Sequence, residues 1–219
     1  MLKKKLFIVN FKTYKEATGK NALILAKKLN KLKANLVVAV EAADINSIFK
    51  SCKNLKVFSQ YIDLVEEHRG SLTASLVKSS GAKGTLINHS NNPLKFSEIK
   101  KAVKLAKKYK LISVVCSEDE ILGKKILKLK PDYIAIEPKE LISGKISVSE
   151  AKPELIRKTV KILCNKNKCN FLLVGAGIHS SKDVKKAFEL GANGILISSA
   201  LVKSKNPYKL MKELIQASK

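Results

Sequence analysis

The sequence predicts one α/β domain over residues 1–219, folded as a (β/α)₈ barrel, and three observations support this. Short apolar runs alternate with longer segments of helical period, which is typical of repeated strand–helix units. Eight such units follow one another with no proline- or glycine-rich linker between them. Two segments about half the chain apart resemble each other. A chain of 219 residues can also bury one core of its own.

Each predicted strand is a short run of mostly apolar residues. In chain order the runs are Leu6–Asn10, Leu36–Val40, Lys56–Gln60, Thr85–Asn88, Ile112–Cys116, Tyr133–Glu137, Phe171–Gly175 and Gly194–Ser198. Amphipathic segments after these runs predict helices, among them Asn21–Lys31, Phe96–Tyr109, Pro153–Cys164, Lys182–Leu190 and Tyr208–Gln216.

The repeated segments are Gly81–Asn88 and Gly191–Ser198, which relate the fourth predicted strand to the eighth. Part of the likeness has a local cause, because helix-to-strand turns need glycine and buried strands need isoleucine and leucine. A doubly wound sheet would show the same alternation of strands and helices. Matching halves nevertheless favour a closed barrel of eight strands over an open sheet.

The chain is strongly basic, since 43 lysine and arginine residues stand against 18 acidic ones and give a formal net charge of +25. Such a charge raises the hypothesis of nucleic-acid binding. Only Arg69 and Arg157 are arginines, however, and aromatic residues make up 5% of the chain, so the groups that recognise bases are scarce. We therefore expect no nucleic-acid partner. The lysines are expected on solvated helix faces, where they help to steer an anionic substrate.

The compartment of the protein and the redox state of its cysteines are predicted from sequence signals that are absent. No apolar run is long enough to span a membrane, and the first ten residues lack the cleavage site of a signal peptide, so we expect a cytoplasmic protein without a membrane partner. In that compartment Cys52, Cys116, Cys164 and Cys169 are expected to be free thiols. No cysteine or histidine spacing is typical of zinc binding, so no metal is expected.

Polar residues follow three of the apolar runs. The first run is followed by Phe11 and Lys12, the fourth by His89 and the sixth ends in Glu137. Barrels of this class hold their chemistry at the carboxyl ends of the strands, so these side chains should meet at one face. Small residues follow the seventh and eighth runs, where such barrels bind phosphate through backbone N–H groups.

Five segments in register resemble the triosephosphate isomerase family, and more closely its shorter archaeal-type form. They are Val9–Tyr14, Gly84–Ser90, Asp132–Pro138, Gly175–Ile178 and Gly194–Ser199. The resemblance covers nearly the whole chain. It implies a cofactor-free isomerase of glycolysis and gluconeogenesis that interconverts dihydroxyacetone phosphate and D-glyceraldehyde 3-phosphate by proton abstraction through an enediolate.

The resemblance also assigns three catalytic roles. Glu137 matches the base that takes a proton from the carbon beside the carbonyl. His89 matches a neutral electrophile that moves protons between the substrate oxygens, and we expect it at a helix start, where the dipole favours the uncharged ring. Lys12 matches the ammonium that stabilises the enediolate. Structural alternatives exist for each: a snorkelling lysine, a histidine that serves backbone groups, and a glutamate paired with a lysine.

Further positions match the substrate-binding residues of the family. Asn10 and Phe11 accompany Lys12 after the first strand, with Asn10 as a hydrogen-bonding partner of the substrate or of Lys12. Ile142 and Ser143 belong to a segment that matches the mobile lid. Gly177, Ser198 and Ser199 match the backbone N–H donors that hold the phosphate.

Three other residues receive weaker assignments. Cys116 falls where the family often has a cysteine and is expected to pack rather than react. His179 is expected at the surface. Thr73 lies in a segment that resembles the loop reaching into a partner subunit, which implies a homodimer or a homotetramer.

The chain departs from the family pattern at three places. Asn91 replaces a glutamate that is normally near the active-site lysine, so the electrostatic setting of Lys12 differs. Ser143 and Lys145 replace two lid residues that are commonly glycine, and Ala200 replaces a glycine after the eighth strand. None of these changes removes a group that transfers a proton.

Other functions remain open on the sequence. A phosphosugar epimerase would need metal-binding histidines and acids on several strands, and an aldolase would need a Schiff-base lysine within a strand. A third possibility is a degenerate barrel that has lost catalysis and serves as a basic RNA-binding protein.

Overall fold

The structure is a computed structural model that describes residues 5–67, 70–138, 141, 147–164 and 170–218. Its strands form a closed parallel barrel in the order of the chain, and β8 pairs with β1 to close it. The strands are β1 Leu6–Asn10, β2 Leu36–Val40, β3 Lys56–Ser59, β4 Gly84–Ile87, β5 Ile112–Ser117, β6 Tyr133–Ile136, β7 Leu172–Val174 and β8 Gly194–Ile197. The predicted barrel is confirmed, each predicted strand being found within one or two residues.

Helices follow the strands and form the outer layer. They are α1 Lys20–Leu29, α2 Ala42–Ser51, α3 Ala74–Ser79, α4 Phe96–Lys108, α5 Glu120–Leu127, α6 Val148–Ala151, α7 Pro153–Leu163, α8 Ser181–Glu189, α9 Ser199–Val202 and α10 Pro207–Gln216. The five helices predicted by name are confirmed with small shifts at their ends. Among the described residues, no helix combines the length and apolarity needed to cross a membrane.

The strands are buried on both faces, which explains their continuous apolar sequence. In β1, the side chains of Leu6 and Ile8 point into the barrel, whereas Phe7 and Val9 pack outward against the helices. The interior is a plug of apolar side chains, and the polar side chains of the site lie above it. The strands contribute to this plug Leu6, Ile8, Val37, Ala39, Phe58, Leu86, Val114, Cys116, Ala135, Leu173 and Leu196.

The internal repeat has a structural cause. Gly81 and Gly191 have φ values of 102° and 101°, a conformation in which a side chain is strained. Gly84 and Gly194 begin β4 and β8, where a Cβ would lie 2.4 Å from the Ile112 carbonyl oxygen and 2.2 Å from that of Leu6. The same helix-to-strand turn therefore occurs twice, at opposite sides of the barrel.

The cysteines divide into two groups. Cys52 and Cys116 are buried free thiols, as expected. Cys164, at the end of α7, is disulfide-bonded, so the expectation of a free thiol is wrong there. That expectation rested on the predicted compartment, which carries no information about which sulfur atoms lie within bonding distance. Cys169 lies outside the described residues.

Candidate active site

Four ionisable side chains line one narrow cavity at the carboxyl end of the barrel: the three predicted catalytic residues and His179. Lys12 follows β1, His89 follows β4 and Glu137 follows β6. Because all strands are parallel, their carboxyl ends open at the same face. His89 and Glu137 are each 6% exposed. The charges of Lys12 and Glu137 both act on the pKa of His89, so the three groups are within electrostatic reach of one another.

Lys12 is held in a strained conformation by two neighbours. Its φ of 49° lies in the left-handed region, which is uncommon for a residue with a side chain. Its N–H donates to Oδ1 of Asn10 over 3.1 Å, and its carbonyl accepts from Nε2 of Gln60 over 3.0 Å. These bonds fix the backbone from which the ammonium enters the cavity. Such strain is frequent at functional sites.

His89 is buried, and the backbone N–H of Asn91 donates to its Nδ1 over 3.1 Å. Burial lowers the pKa of His89 below its usual 6.5; the charge of Glu137 opposes this change and that of Lys12 reinforces it. The ring is therefore neutral near pH 7. The expectation of a helix start is wrong, because His89 lies before a turn and α4 begins only at Phe96. Burial and the hydrogen bond from the Asn91 N–H, rather than a helix dipole, therefore favour the neutral ring of His89.

Glu137 directly follows β6, and its N–H donates to the Ser117 carbonyl over 2.8 Å. Its Oε2 is buried and has no hydrogen-bond partner within the described part of the chain. The backbone of Gly175 lies so close that a Cβ there would be 2.6 Å from Oε1 of Glu137. The carboxylate is thus wedged against β7 with one oxygen free to accept a proton.

Cys116 shares this carboxylate. Burial raises the pKa of the Cys116 thiol well above its usual value, and the charge of Glu137 and a hydrogen bond to Glu137 raise it further. The group therefore remains a thiol and is not a nucleophile, in line with the packing role expected for it.

The opposite wall of the cavity is formed by the turns after β7 and β8. Ala176 and Gly177 have φ values of 69° and 66°, and both line the cavity. Ser198 also lines it, but its hydroxyl donates to the Asn10 carbonyl over 2.8 Å. In α9, which begins at Ser199, the N–H groups of Leu201 and Val202 donate to the Ser198 carbonyl over 3.0 Å each, whereas those of Ser199 and Ala200 precede the first hydrogen bond of the helix. This wall therefore presents backbone donors together with the side chain of His179.

Phe11 does not reach the cavity. Its side chain is fully buried in the outer core, and its N–H donates to the Ala39 carbonyl over 2.9 Å. The proposed contact between Phe11 and the substrate is therefore not supported, because both the ring and the N–H are already used by the fold. Asn10, only 2% exposed, borders a neighbouring groove together with Lys12 and His89.

That groove has a volume of about 680 Å³ and contains acidic residues that the sequence reasoning missed. Glu41 follows β2, and Asp63 lies in the loop after β3. Burial raises the pKa of Glu41, and the charge of Asp44 adds to the effect. Carboxylates thus border the groove although Asn91 stands where the family has glutamate. The position of Glu41 directly after a strand was the signal that could have revealed it.

Asp183 is a second missed residue and organises the turn after β7. Its Oδ2 accepts hydrogen bonds from the N–H groups of His179 and Ser180 over 3.0 Å and 2.8 Å, and from the Ser180 hydroxyl over 2.9 Å. Ser147, on the far side of the lid segment, also bonds to this carboxylate. The network holds His179, which is half-buried, at the cavity wall.

Some predicted residues lie outside the described part of the chain. These are the lid residues Ile142 and Ser143, together with Lys145 and Arg69.

Comparisons with known proteins agree with this geometry. Residues 5–217 match the family described as triosephosphate isomerase. The chain is 40% identical over 216 residues to triosephosphate isomerase of Methanothermus fervidus, covering 96% of this chain and 97% of that protein. It is 38% identical over 217 residues to that of Methanocaldococcus jannaschii, covering 96% and 99%.

The fold is also found among solved structures. The crystal structure of triosephosphate isomerase from Bartonella henselae superposes with a TM-score of 0.72 at 17% identity, covering 98% of this chain and 97% of that one. With the family match and the archaeal relatives, this establishes that the chain belongs to the triosephosphate isomerase family.

Proposed function

We propose that Lys12, His89 and Glu137 carry out the reaction of this family, the interconversion of dihydroxyacetone phosphate and D-glyceraldehyde 3-phosphate. The observation that carries the proposal is that three residues from distant parts of the chain line one cavity. Ammonium, neutral imidazole and carboxylate are the groups that an enediolate reaction needs, and each has a separate task.

The carboxylate of Glu137 takes a proton from the carbon beside the carbonyl. The C–H electrons form a carbon–carbon double bond, and the carbonyl π electrons move to the oxygen. His89 supplies a proton to that oxygen from Nε2 and takes one from the oxygen on the neighbouring carbon. Glu137 then returns its proton to the other carbon, and the carbonyl has moved. No electron acceptor is needed, because the reaction is an internal redistribution.

Lys12 stabilises the negative charge that develops during this sequence. Asn10 holds the Lys12 backbone, as its hydrogen bond indicates. Backbone N–H groups of Gly177 and Ser199 and of the turn that contains Ser198 hold the phosphate, and Ile142 and Ser143 of the lid segment complete its binding. Family membership and the small-residue turns after β7 and β8 support this assignment.

We further propose that residues 1–219 form a single (β/α)₈ domain that acts in the cytoplasm, in glycolysis and gluconeogenesis, as a homodimer or homotetramer. The groove of about 680 Å³ beside Lys12 would receive Thr73 of the partner subunit. Thr73 of one protomer caps α3 by accepting from the Leu76 N–H over 3.2 Å, which rigidifies the end of its loop.

The test is turnover by the purified protein. We expect isomerisation of both triose phosphates in coupled assays, loss of this activity in Glu137→Gln, and no epimerase or aldolase products from a panel of sugar phosphates. Absence of triose phosphate turnover in the wild type would refute the assignment. Light scattering would give the oligomeric state, and a monomer with full activity would contradict the proposed assembly.

A further inference from the structure

The net charge of the chain is concentrated on one face of the barrel. The barrel has two ends, and the end opposite the active site is formed by the connections that lead from each helix to the next strand. Each connection runs from the last four residues of a helix to the first residue of the next strand. Lys5, before β1, and the end of α10 lie at the same end of the barrel. Together these connections comprise residues 5, 26–36, 48–56, 76–84, 105–112, 124–133, 160–164, 170–172, 186–194 and 213–218.

These connections contain 19 lysines but only three acidic residues, Asp132, Glu189 and Glu213. The rest of the described chain has 16 basic and 14 acidic residues and is nearly neutral. The charge therefore does not surround the active site, and steering of an anionic substrate does not account for it. We name this end of the barrel the lysine face.

Helix stability explains only part of this distribution. A lysine in the last turn of a helix interacts favourably with the helix dipole. Lys33, Lys53 and Lys56 lie beyond the helix ends, and all three are exposed. Like charges at this density repel one another. Glu66 of the loop after β3 reaches the edge of the face and pairs with Lys108, whereas the centre has a large excess of positive charge that a bound polyanion would relieve.

The face also contains a built concavity. A cavity of about 590 Å³ lies between the starts of β2, β3 and β6, and its lining includes Lys33, Asn35, Asn54, Lys56 and Tyr133. Lys56 donates to Oδ1 of Asn35 over 2.9 Å. Two ammonium groups, two amides and a phenol ring thus border one hollow, and these groups suit phosphate, polar base edges and a stacked ring respectively.

An aromatic ring lies in the same connection. Phe49 is 37% exposed, and the Nζ atoms of Lys53 and Lys83 lie 5.5 Å and 5.8 Å from its ring centroid. The ring packs on Gly81, where a Cβ would lie 2.3 Å from it. A partly exposed ring flanked by two ammonium groups can stack against a base.

We propose that the lysine face binds single-stranded nucleic acid through its phosphate backbone, independently of the isomerase site. The expectation of no nucleic-acid partner rested on the scarcity of arginine and aromatic residues in the whole chain. The gathering of the lysines at one end of the barrel, beside the partly exposed ring of Phe49, changes that conclusion. With so few arginines, the binding follows charge and stacking and has no strong sequence preference.

The experiment measures fluorescence anisotropy of a labelled oligouridine RNA of about 20 nucleotides at several salt concentrations. The test variant is Lys33→Glu/Lys53→Glu/Lys56→Glu. The matched control, Lys20→Glu/Lys205→Glu/Lys209→Glu, changes the same total charge at exposed positions near the starts of α1 and α10. We expect at least tenfold weaker binding for the test variant and less than threefold for the control. The magnitude of the slope of log K against log salt should fall by about 2 in the test variant, because each of the three lost phosphate contacts contributes about 0.7.

Equal losses in the two variants would show diffuse attraction and overturn the proposal, as would no binding by the wild type. Binding to vesicles of mixed neutral and anionic lipid, without binding to RNA, would also overturn it. Both variants should keep wild-type isomerase turnover and circular dichroism, so a failure here is distinguishable from a failure of the proposed catalytic function.

Discussion

The backbone N–H of Asn91 donates a 3.1 Å hydrogen bond to Nδ1 of His89, which leaves the proton of the neutral ring on Nε2. The amide that makes this bond belongs to a residue whose side chain differs from that of the family. Replacement of glutamate by Asn91 therefore preserves the tautomer of the histidine, since the bond depends on the backbone.

The depressed pKa of His89 predicts a pH dependence of stability. The unfolded chain takes up a proton near pH 6.5, whereas the folded ring resists it, so the free energy of unfolding should fall as pH drops below about 6.5. His89→Gln should lack this contribution. Urea unfolding of both proteins between about pH 5 and pH 8 measures the difference. Parallel pH profiles for the two proteins would contradict the burial of a neutral ring.

Removal of the base should affect turnover rather than binding. Glu137→Gln is expected to lower kcat by about 10²- to 10⁴-fold, the usual contribution of a positioned general base, with KM changed only a few-fold. Glu154→Gln is a suitable control, because Glu154 is exposed and pairs with Arg157 away from the cavity. If both variants lost activity equally, Glu137 would not be the base.

Gly175 and Gly123 provide a matched pair for testing how closely the base is packed. A Cβ at Gly175 would lie 2.6 Å from the Glu137 side chain, so Gly175→Ala should displace the carboxylate and lower kcat by about tenfold or more. In α5, the nearest atom to a Cβ at Gly123 is 3.4 Å away. Gly123→Ala should keep its activity and gain about 0.5–1 kcal/mol in stability. Steady-state kinetics and urea unfolding report both effects, and an unimpaired Gly175→Ala enzyme would show that Glu137 is not constrained by β7.

Asn10 and Gln60 both bond to the Lys12 backbone, and the bond donated by the Gln60 side chain can be tested by substitution. Gln60→Leu removes the hydrogen bond to the Lys12 carbonyl. A hydrogen bond of this kind contributes about 0.5–1.5 kcal/mol, so its loss should lower kcat/KM by about three- to tenfold. Asn21→Leu removes a comparable bond from an asparagine amide to the Lys15 carbonyl, outside the cavity, and should leave kinetics unchanged. Kinetic effects of similar size in the two variants would argue against a positioning role.

Asp183 predicts a second pH effect, which has the same sign as that of His89 but occurs at lower pH. Although burial raises its pKa, hydrogen bonds from Ser147, His179 and Ser180 bring the pKa below its usual 3.8. Its stabilising contribution is present above about pH 3.8 and is lost as pH falls further. Asp183→Asn should destabilise the fold. Its free energy of unfolding should also depend less on pH below about pH 3.8 than that of the wild type. The substitution should also raise KM, because the turn after β7 loosens.

Asp119→Asn offers the comparison for that experiment. Asp119 caps α5 through its carboxylate, which accepts from the Leu122 N–H over 2.7 Å. A smaller loss of stability with unchanged KM is expected there. A KM unaffected in Asp183→Asn would mean that the aspartate only supports the fold.

The sequence by itself determined the barrel and the polar residues at its active face. Strands buried on both sides must be apolar throughout, and parallel connections require helices, so eight strand–helix units were readable from residue types alone. The repeat of Gly81–Asn88 in Gly191–Ser198 was readable too, because only glycine fits those turns. Lys12, His89 and Glu137 could be placed at one end of the barrel for the same reason.

Only the tertiary structure decided what surrounds those residues. The turn that serves His89, the burial of Phe11, the carboxylate of Asp183 beside His179 and the segregation of lysines to one face depend on contacts between distant segments. The periodicity of a short sequence segment does not predict such contacts. Which groups form hydrogen bonds or lie next to a charge depends on how the strand–helix units close into a barrel.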